Sequence, residues 1–341
     1  MSLDLAAVAA WMTSHIRGFE GPVTAQKFAT GQSNPTYKLL AQSGSYVLRR
    51  KPSGVLLPKA HAVEREFRVQ MALSGSDVPV PAMLALCEDG AVIGSAFYVM
   101  EYVAGESFDD PRLPGLAPER RGAIFTEMAR VLATIHSVDL GITGLQDFGP
   151  KGAYFARQIG RWTKQYRSAE TEELPQMEGL IEALTRAGPV DDGRVCLVHG
   201  DFRLDNLLFD RGGAVCRAVL DWELSTLGHP LADLAAVVMQ WQMPPGGVGR
   251  GLAGTDRAAL GVPSDAEFIA EYCGRMGVPV PDDFGPYLAF AFFRMAAVLQ
   301  GVKRRGLDGN ASNPERAAEL GALVPEFARQ GLAALARSRG G

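Results

Sequence analysis

Cysteine, histidine and one-signed charge are all scarce in this chain, and each scarcity removes a class of protein. The four cysteines, Cys87, Cys196, Cys216 and Cys273, lie far apart, with no CxxC pair and no histidine at metal-site spacing. That excludes a zinc ribbon or a disulfide framework and leaves reduced, packed thiols in a cytoplasmic protein as the expectation. A net charge of -4, from 34 basic and 38 acidic residues without long runs, offers no electrostatic footprint for nucleic acid or an anionic membrane. Long hydrophobic runs are missing too: no apolar stretch is expected to reach the about 20 residues of a membrane helix. Residues 5–12 are apolar but follow Ser2 and Asp4 without a basic leader or cleavage site, as in a capped amphipathic helix rather than a signal peptide. Neither a nucleic-acid nor a membrane partner is expected, and oligomeric state stays open.

What is present is apolar mass. With 341 residues, 47% of them hydrophobic, the chain can bury a full core and divide into two lobes. Residues 23–48 alternate apolar and polar around GQSNP and QSGS, the pattern of antiparallel strands and tight turns. Residues 60–73 have helical spacing through Val63, Phe67 and Met71, and residues 96–102 (AFYVMEY) return to strand composition. Residues 103–119 are dense in Gly, Pro and Asp and predict a linker. Helical patterns then dominate, apart from a strand-rich island at 195–220. The expected fold is α+β: a β-rich lobe at 1–102, with an N-terminal helix and one helix within it, and a mainly helical lobe at 103–341.

The island, RVCLVHGDFRLDNLLFDRGGAVCRAVLDWE at 194–223, carries the chemistry. A short strand at 195–198 leads into the polar loop 199–205; residues 206–209 and 215–220 then predict a hairpin around DRGG. Antiparallel pairing places Asn206, at the start of one strand, nearly opposite Asp221, at the end of the other. Strands about 5 Å apart let one divalent ion touch both side chains. Asp201 sits in the loop just before. Phosphoryl transfer asks for this set, because its transition state is loose and anionic: oxygen ligands hold magnesium on the phosphates, and one carboxylate orients the attacking hydroxyl. Asn206 and Asp221 fit the first task and Asp201 the second. Strand-end turns also favour Asp and Asn, so the assignment rests on the two halves occurring together.

HGDFRLDN followed by LDWE resembles the aminoglycoside phosphotransferase and choline kinase family, which has a protein-kinase-like fold. GQSNPTY, YVLRRKP, HAVEREFRV and RQIGRWTKQY look closest to the branch found elsewhere fused to acyl-CoA dehydrogenase domains. The resemblance implies ATP or GTP and Mg²⁺ as cofactors. It also implies a strand cation on the α and β phosphates, steadied by a helix carboxylate. Arg49 stands where protein kinases use lysine, with Lys51 as its competitor, and Glu66 aligns with the helix glutamate in preference to Glu64. Gly31, Gln32, Ser33 and Asn34 occupy the place of the phosphate loop, although no GxGxxG is present. Glu101 to Val103 should connect the lobes, with backbone groups for the nucleotide base. His199 is implied as an orienting residue. Asp233, after Pro230 in a first helical turn, reads as a structural acid that braces the loop, and His136 as a helix-end histidine.

On the helix at 153–168, Phe155, Ile159, Trp162 and Tyr166 form an apolar stripe, and Arg157, Arg161 and Lys164 recur on another face. That face is a solvated basic side or, in the sharper reading, a cationic wall for an anionic substrate in which Arg157, Arg161 and Trp162 take part. An antibiotic kinase would meet its polycationic substrate with acids instead, and the resemblance to dehydrogenase-linked kinases implies, in the same direction, a hydroxyacyl-CoA or another anionic metabolite as the acceptor. The competing readings are an antibiotic phosphotransferase, a nucleotide-binding pseudokinase, and a metal-dependent hydrolase using His199 or His229.

Overall fold

A computed structural model describes residues 3–28, 34–52, 61–246, 250–310 and 313–338. The chain separates into two compact units, the first comprising residues 1–107, 139–145 and 206–225, and the second residues 108–138, 146–205 and 226–341. The two-lobed α+β class expected from the sequence is the one observed. Residues 206–225, the hairpin of the island, group with the β-rich unit.

The first unit begins with α1 (Leu5–His15), whose N-cap Asp4 accepts the Ala7 N–H at 3.0 Å, as a capping carboxylate does. Strands β1 (Thr24–Lys27), β2 (Thr36–Ala41) and β3 (Gly44–Arg50) precede α2 (Val63–Leu73), β4 (Met83–Cys87), α3 (Gly90–Ile93) and β5 (Phe97–Glu101). They form an antiparallel sheet in the order β1-β2-β3-β5-β4. Its two faces have separate cores. Leu48, Phe97 and Val99 pack with Val8 and Met12 of α1, whereas Val47, Tyr98 and Met100 pack with Val63 of α2. Strand alternation therefore sends Val47, Arg49 and Lys51 to the α2 face and Leu48 and Arg50 to the other.

The second unit contains α4 (Pro118–His136), α5 (Tyr154–Ala169), α6 (Pro175–Ala187) and β6 (Cys196–Val198). The chain then returns to the first unit for the hairpin β7 (Leu207–Phe209) and β8 (Cys216–Val219), before β9 (Thr226–Gly228) and α7 (Pro230–Trp241). Helices α8 (Arg257–Leu260), α9 (Asp265–Met276), α10 (Gly285–Leu307), α11 (Pro314–Gly321) and α12 (Val324–Ser338) complete it. Strand β9 pairs antiparallel with β6; the short TLG segment carries too little pattern to announce itself. Helix α10 is the centre of this unit, packed by α5, α6, α7, α11 and α12.

By length and composition α10, at 23 residues, could cross a membrane, although 67% of its most apolar stretch is buried within the unit. Its apolar surface is that of a helix enclosed by other helices, which reads in sequence like a span because neither is bounded by polar faces.

Candidate active site

In the first unit a buried cation is surrounded by carboxylates. Arg49 is 8% exposed, and strand parity turns it toward α2. Its Nε lies 2.8 Å from Glu66 Oε2 and its Nη2 donates to Asp221 Oδ1 at 2.5 Å, with Glu223 Oε2 3.8 Å away. Glu66 is fully buried and is also held by the Asn34 amide at 2.7 Å and the Tyr98 hydroxyl at 3.2 Å. Burial pushes the Glu66 carboxyl up to about 7, against the pull of Arg49, while Asp221 and Glu223 push the same way as burial. Burial works against the Arg49 charge, yet Glu66, with Tyr98, Asp221 and Glu223, holds its pKa above the ordinary guanidinium value. Lys51 pairs instead with the half-exposed Glu64 at 2.9 Å, so the buried ion pair on this face is that of Arg49 with Glu66.

Removing one partner of such a pair strands a buried charge. Glu66→Ala is expected to lower unfolding free energy by about 3 kcal/mol, read as a shifted midpoint in urea at unchanged slope.

Asn34 stands beside this pair. It is fully buried, and its amide donates to Glu66 while its carbonyl oxygen lies 3.1 Å from His61 Nδ1. Its side chain therefore braces the ion pair. Gly31, Gln32 and Ser33 lie outside the described residues. Glu101 ends β5; its N–H donates to Ala82 O and its carboxylate accepts from Ala82 N, which fixes the start of the segment running through Val103.

The hairpin has the expected register. Leu207 faces Val219, and Leu220 N donates to Asn206 O at 2.8 Å, so Asn206 and Asp221 leave the same end of the ladder. Glu106 and Phe209 exchange two backbone hydrogen bonds beside it. Gly105 is needed there, because a Cβ would stand 2.7 Å from Phe209 O. Asp221 itself is held at φ +63°, a left-handed conformation that costs about 1–2 kcal/mol in a residue other than glycine. Its hydrogen bond to Arg49 is one restraint on that geometry.

Among the described residues no group of three or more His, Cys, Asp or Glu side chains forms a preassembled metal cage. Magnesium does not need one: it keeps several waters and takes one or two protein oxygens beside substrate phosphates. The hard oxygen donors of Asn206 and Asp221, at one end of one hairpin, fit that demand.

In the second unit the loop after β6 is built around Asp233. This residue is 1% exposed in the first turn of α7, and it accepts the backbone N–H groups of His199 at 2.6 Å and Gly200 at 3.0 Å. His136 Nε2 lies 3.4 Å from the same carboxylate and its Nδ1 2.7 Å from the Tyr272 hydroxyl. His136 does end α4, but it is a buried bridge, which spacing along one helix could not show. Burial alone would raise the Asp233 carboxyl; His136 and His199 outweigh it and hold the pKa below the usual value.

His199 is fully buried, and its Nδ1 accepts the Asp201 N–H at 3.2 Å. Gly200 adopts φ +83°, and Arg294 of α10 donates to its carbonyl at 2.6 Å. Asp201 is thus presented half-exposed on a loop fixed from three sides. Arg203 Nε lies 3.4 Å from Asp201 Oδ1, and Asp205 accepts from Arg203 at 3.1 Å and from Arg250 at 2.8 Å. Arg203, Asp205, Arg250, Glu223 and Arg294 were not singled out in the sequence; basic residues beside HGD were the available signal for the first.

His229 caps α7, accepting the Leu231 N–H, and its Nε2 contacts Asp192 at 3.0 Å. Both ring nitrogens are therefore engaged in structure, as suits a helix cap. Of the basic residues on α5, Arg157 donates to the carbonyls of Pro150 and Lys151 and so secures the preceding loop. Arg161 is exposed and lies over the buried Trp162 ring, 5.2 Å from its centroid.

The first class these observations define is a two-lobed, protein-kinase-like fold with a buried strand cation, a helix carboxylate and an HGD loop. The profile described as the phosphotransferase enzyme family matches residues 24–273, and the chain belongs to that family. It is 52% identical over 294 residues, 86% of its length, to the mouse (Mus musculus) acyl-CoA dehydrogenase family member 10, and 40% identical over 319 residues, 92% of its length, to the human (Homo sapiens) family member 11. The chain spans only 27% and 40% of those two proteins. A crystal structure of a candidate aminoglycoside phosphotransferase from Ralstonia eutropha superposes with a TM-score of 0.89 at 46% identity, covering 99% of both chains. An aminoglycoside phosphotransferase solved with AMP-PNP and hygromycin B shares the fold at a TM-score of 0.63 and 17% identity, over 95% of this chain and 98% of that one.

Proposed function

We propose that the protein moves the γ-phosphoryl group of ATP, with Mg²⁺, onto a hydroxyl of a small anionic metabolite, a hydroxyacyl-CoA being the leading class. The observation that supports the reaction best is Arg49, held by Glu66 on one side and Asp221 on the other. A guanidinium so fixed can fork onto two phosphate oxygens without reorganising. Asn206 and Asp221 would hold magnesium on the phosphates, where it supplies charge neutralisation. Asp201 orients the acceptor hydroxyl and takes its proton as the oxygen attacks the γ-phosphorus; the bond from phosphorus to the bridging oxygen breaks and ADP leaves. His199 and Asp233 act through the loop, fixing where the Asp201 carboxylate stands. Backbone groups from Glu101 to Val103 would receive the base. The nucleotide-binding lobe is assigned to 1–102 and the lobe with the catalytic loop and acceptor site to 103–341. Four buried free cysteines suit a reducing, cytoplasmic setting.

The acceptor class is supported by the exposed basic residues of α5, Arg161 and Lys164, and by the likeness to proteins named for acyl-CoA dehydrogenation. A labelled-phosphate screen over hydroxyacyl-CoAs, aminoglycosides, choline and homoserine tests it: label is expected in the hydroxyacyl-CoA, and label only in the cationic compounds would overturn it. A pseudokinase would bind ATP and label nothing. Asp221→Ala is expected to weaken Mg·ATP binding by at least about tenfold, the loss of roughly one charge-assisted contact, in a calorimetric titration. Unchanged affinity would remove Asp221 from the metal site.

A further inference from the structure

Many arginines of the described structure pair with carboxylates. The buried Arg49 and the half-buried Arg130, Arg203 and Arg257 have carboxylate partners, while Arg121 and Arg157 donate to backbone carbonyls. Two guanidinium groups of the second unit share one aromatic ring. Arg161 of α5 and Arg294 of α10 both lie over the indole of Trp162, at 5.2 and 5.8 Å from its centroid, and among the described residues neither has a carboxylate partner. The helical neighbours of Arg161 three and four positions away are Arg157, Gln158, Lys164 and Gln165, and those of Arg294 are Phe290, Ala291, Ala297 and Val298; none is acidic. Trp162 is 8% exposed, and its Nε1–H is a buried donor without an acceptor.

Two cations of the same sign gathered on one ring repel each other, and a buried N–H left unpaired costs about 1–3 kcal/mol. The cation–π attraction that each guanidinium gains, about 0.5–1 kcal/mol at an exposed site, offsets part of this and supplies no negative charge. Such a surplus is the mark of a place that an anion completes. Arg294 also has a second task, since its Nη2 donates to Gly200 O, one residue before Asp201.

We infer that Arg161 and Arg294, gathered on Trp162, form the subsite for a phosphate-bearing part of the acceptor, and that Arg294 links this subsite to the loop presenting Asp201. The inference rests on the kinase reading above and names how that enzyme would choose its acceptor. Guanidinium forks suit a tetrahedral phosphate, which offers three oxygens to several donors. Arg161 is a specificity residue; Arg294 is a specificity residue that also positions the loop.

The test compares wild type, Arg161→Gln, Arg294→Gln and Arg294→Lys as full chains. The acceptors are 3-hydroxybutyryl-CoA, free 3-hydroxybutyrate, and the neutral 3-hydroxybutyryl thioester of N-acetylcysteamine. Arg161→Gln should raise KM for the CoA ester about tenfold, one charge-assisted contact, with kcat and the neutral thioester unaffected. Arg294→Gln should raise the same KM and also lower kcat for all acceptors, because Gly200 O loses its donor; Arg294→Lys should recover most of both. Coenzyme A alone, titrated calorimetrically without nucleotide, should bind wild type and bind Arg161→Gln about tenfold more weakly. Equal KM changes for charged and neutral thioesters would overturn the inference. So would loss confined to free 3-hydroxybutyrate, which would point to a carboxylate, and so would an absence of coenzyme A binding to wild type. If wild type phosphorylates no acceptor yet coenzyme A binds through Arg161, the kinase reading fails and the subsite stands.

Discussion

Asp201→Ala is expected to lower the rate of phosphoryl transfer by about 10²–10⁴, the usual worth of a positioned general base, while ATP affinity stays within about twofold. The split follows from where the residue stands. Asp201 is half-exposed on a loop whose backbone is held by Asp233, by its own bond to His199 and by Arg294 at Gly200. None of these restraints uses the Asp201 side chain, so its removal should leave the loop in place and take away only the carboxylate. Rapid-quench measurement of the chemical step, with nucleotide binding measured in parallel, separates the two effects. Full turnover in the variant would remove Asp201 from the chemistry. A parallel fall in ATP affinity would assign it to nucleotide binding instead.

The largest effect on stability is expected at Asp233. Asp233→Ala leaves the N–H groups of His199 and Gly200 buried without acceptors and His136 without its carboxylate. At about 1–3 kcal/mol for each orphaned buried group, the loss is about 3–5 kcal/mol, a large share of the 5–15 kcal/mol that holds a typical domain. Asp233→Asn keeps the size and one acceptor, and should lose less. The pH dependence has a definite sign. The folded pKa of Asp233 is depressed, so its stabilisation is fully present above the ordinary carboxylate value and is lost as pH falls through the folded pKa. Wild type should therefore lose stability in the acid range below about pH 4, and Asp233→Asn should show a shallower acid slope in urea denaturation. Equal slopes would mean that other carboxylates dominate acid unfolding.

How much of this was legible in sequence depends on distance along the chain. The Asp4 cap, α2, β5, α5 and the hairpin of β7 and β8 are local, and periodicity or turn chemistry signals each of them. Asn206 and Asp221 could be placed together because a short hairpin fixes its own register. Strand β9 escaped because three residues carry no period. His136 looked like a helix end because its partners, Asp233 and Tyr272, lie 97 and 136 positions away.

By itself the sequence determined the reaction class: an HGD loop, a hairpin and an aspartate after it are short-range patterns with a chemical reason for their spacing. Only the tertiary structure decided which charges meet. It matched Arg49 with Glu66 and with Asp221, 172 positions away, placed the Asn34 amide on that pair, took Arg157 for a loop, and gathered Arg161 and Arg294 on one indole. The physical reason is that a charge's partner is set by burial and by which faces pack together. Strand parity and helix packing express those in space, while the linear pattern records only that a charge is present.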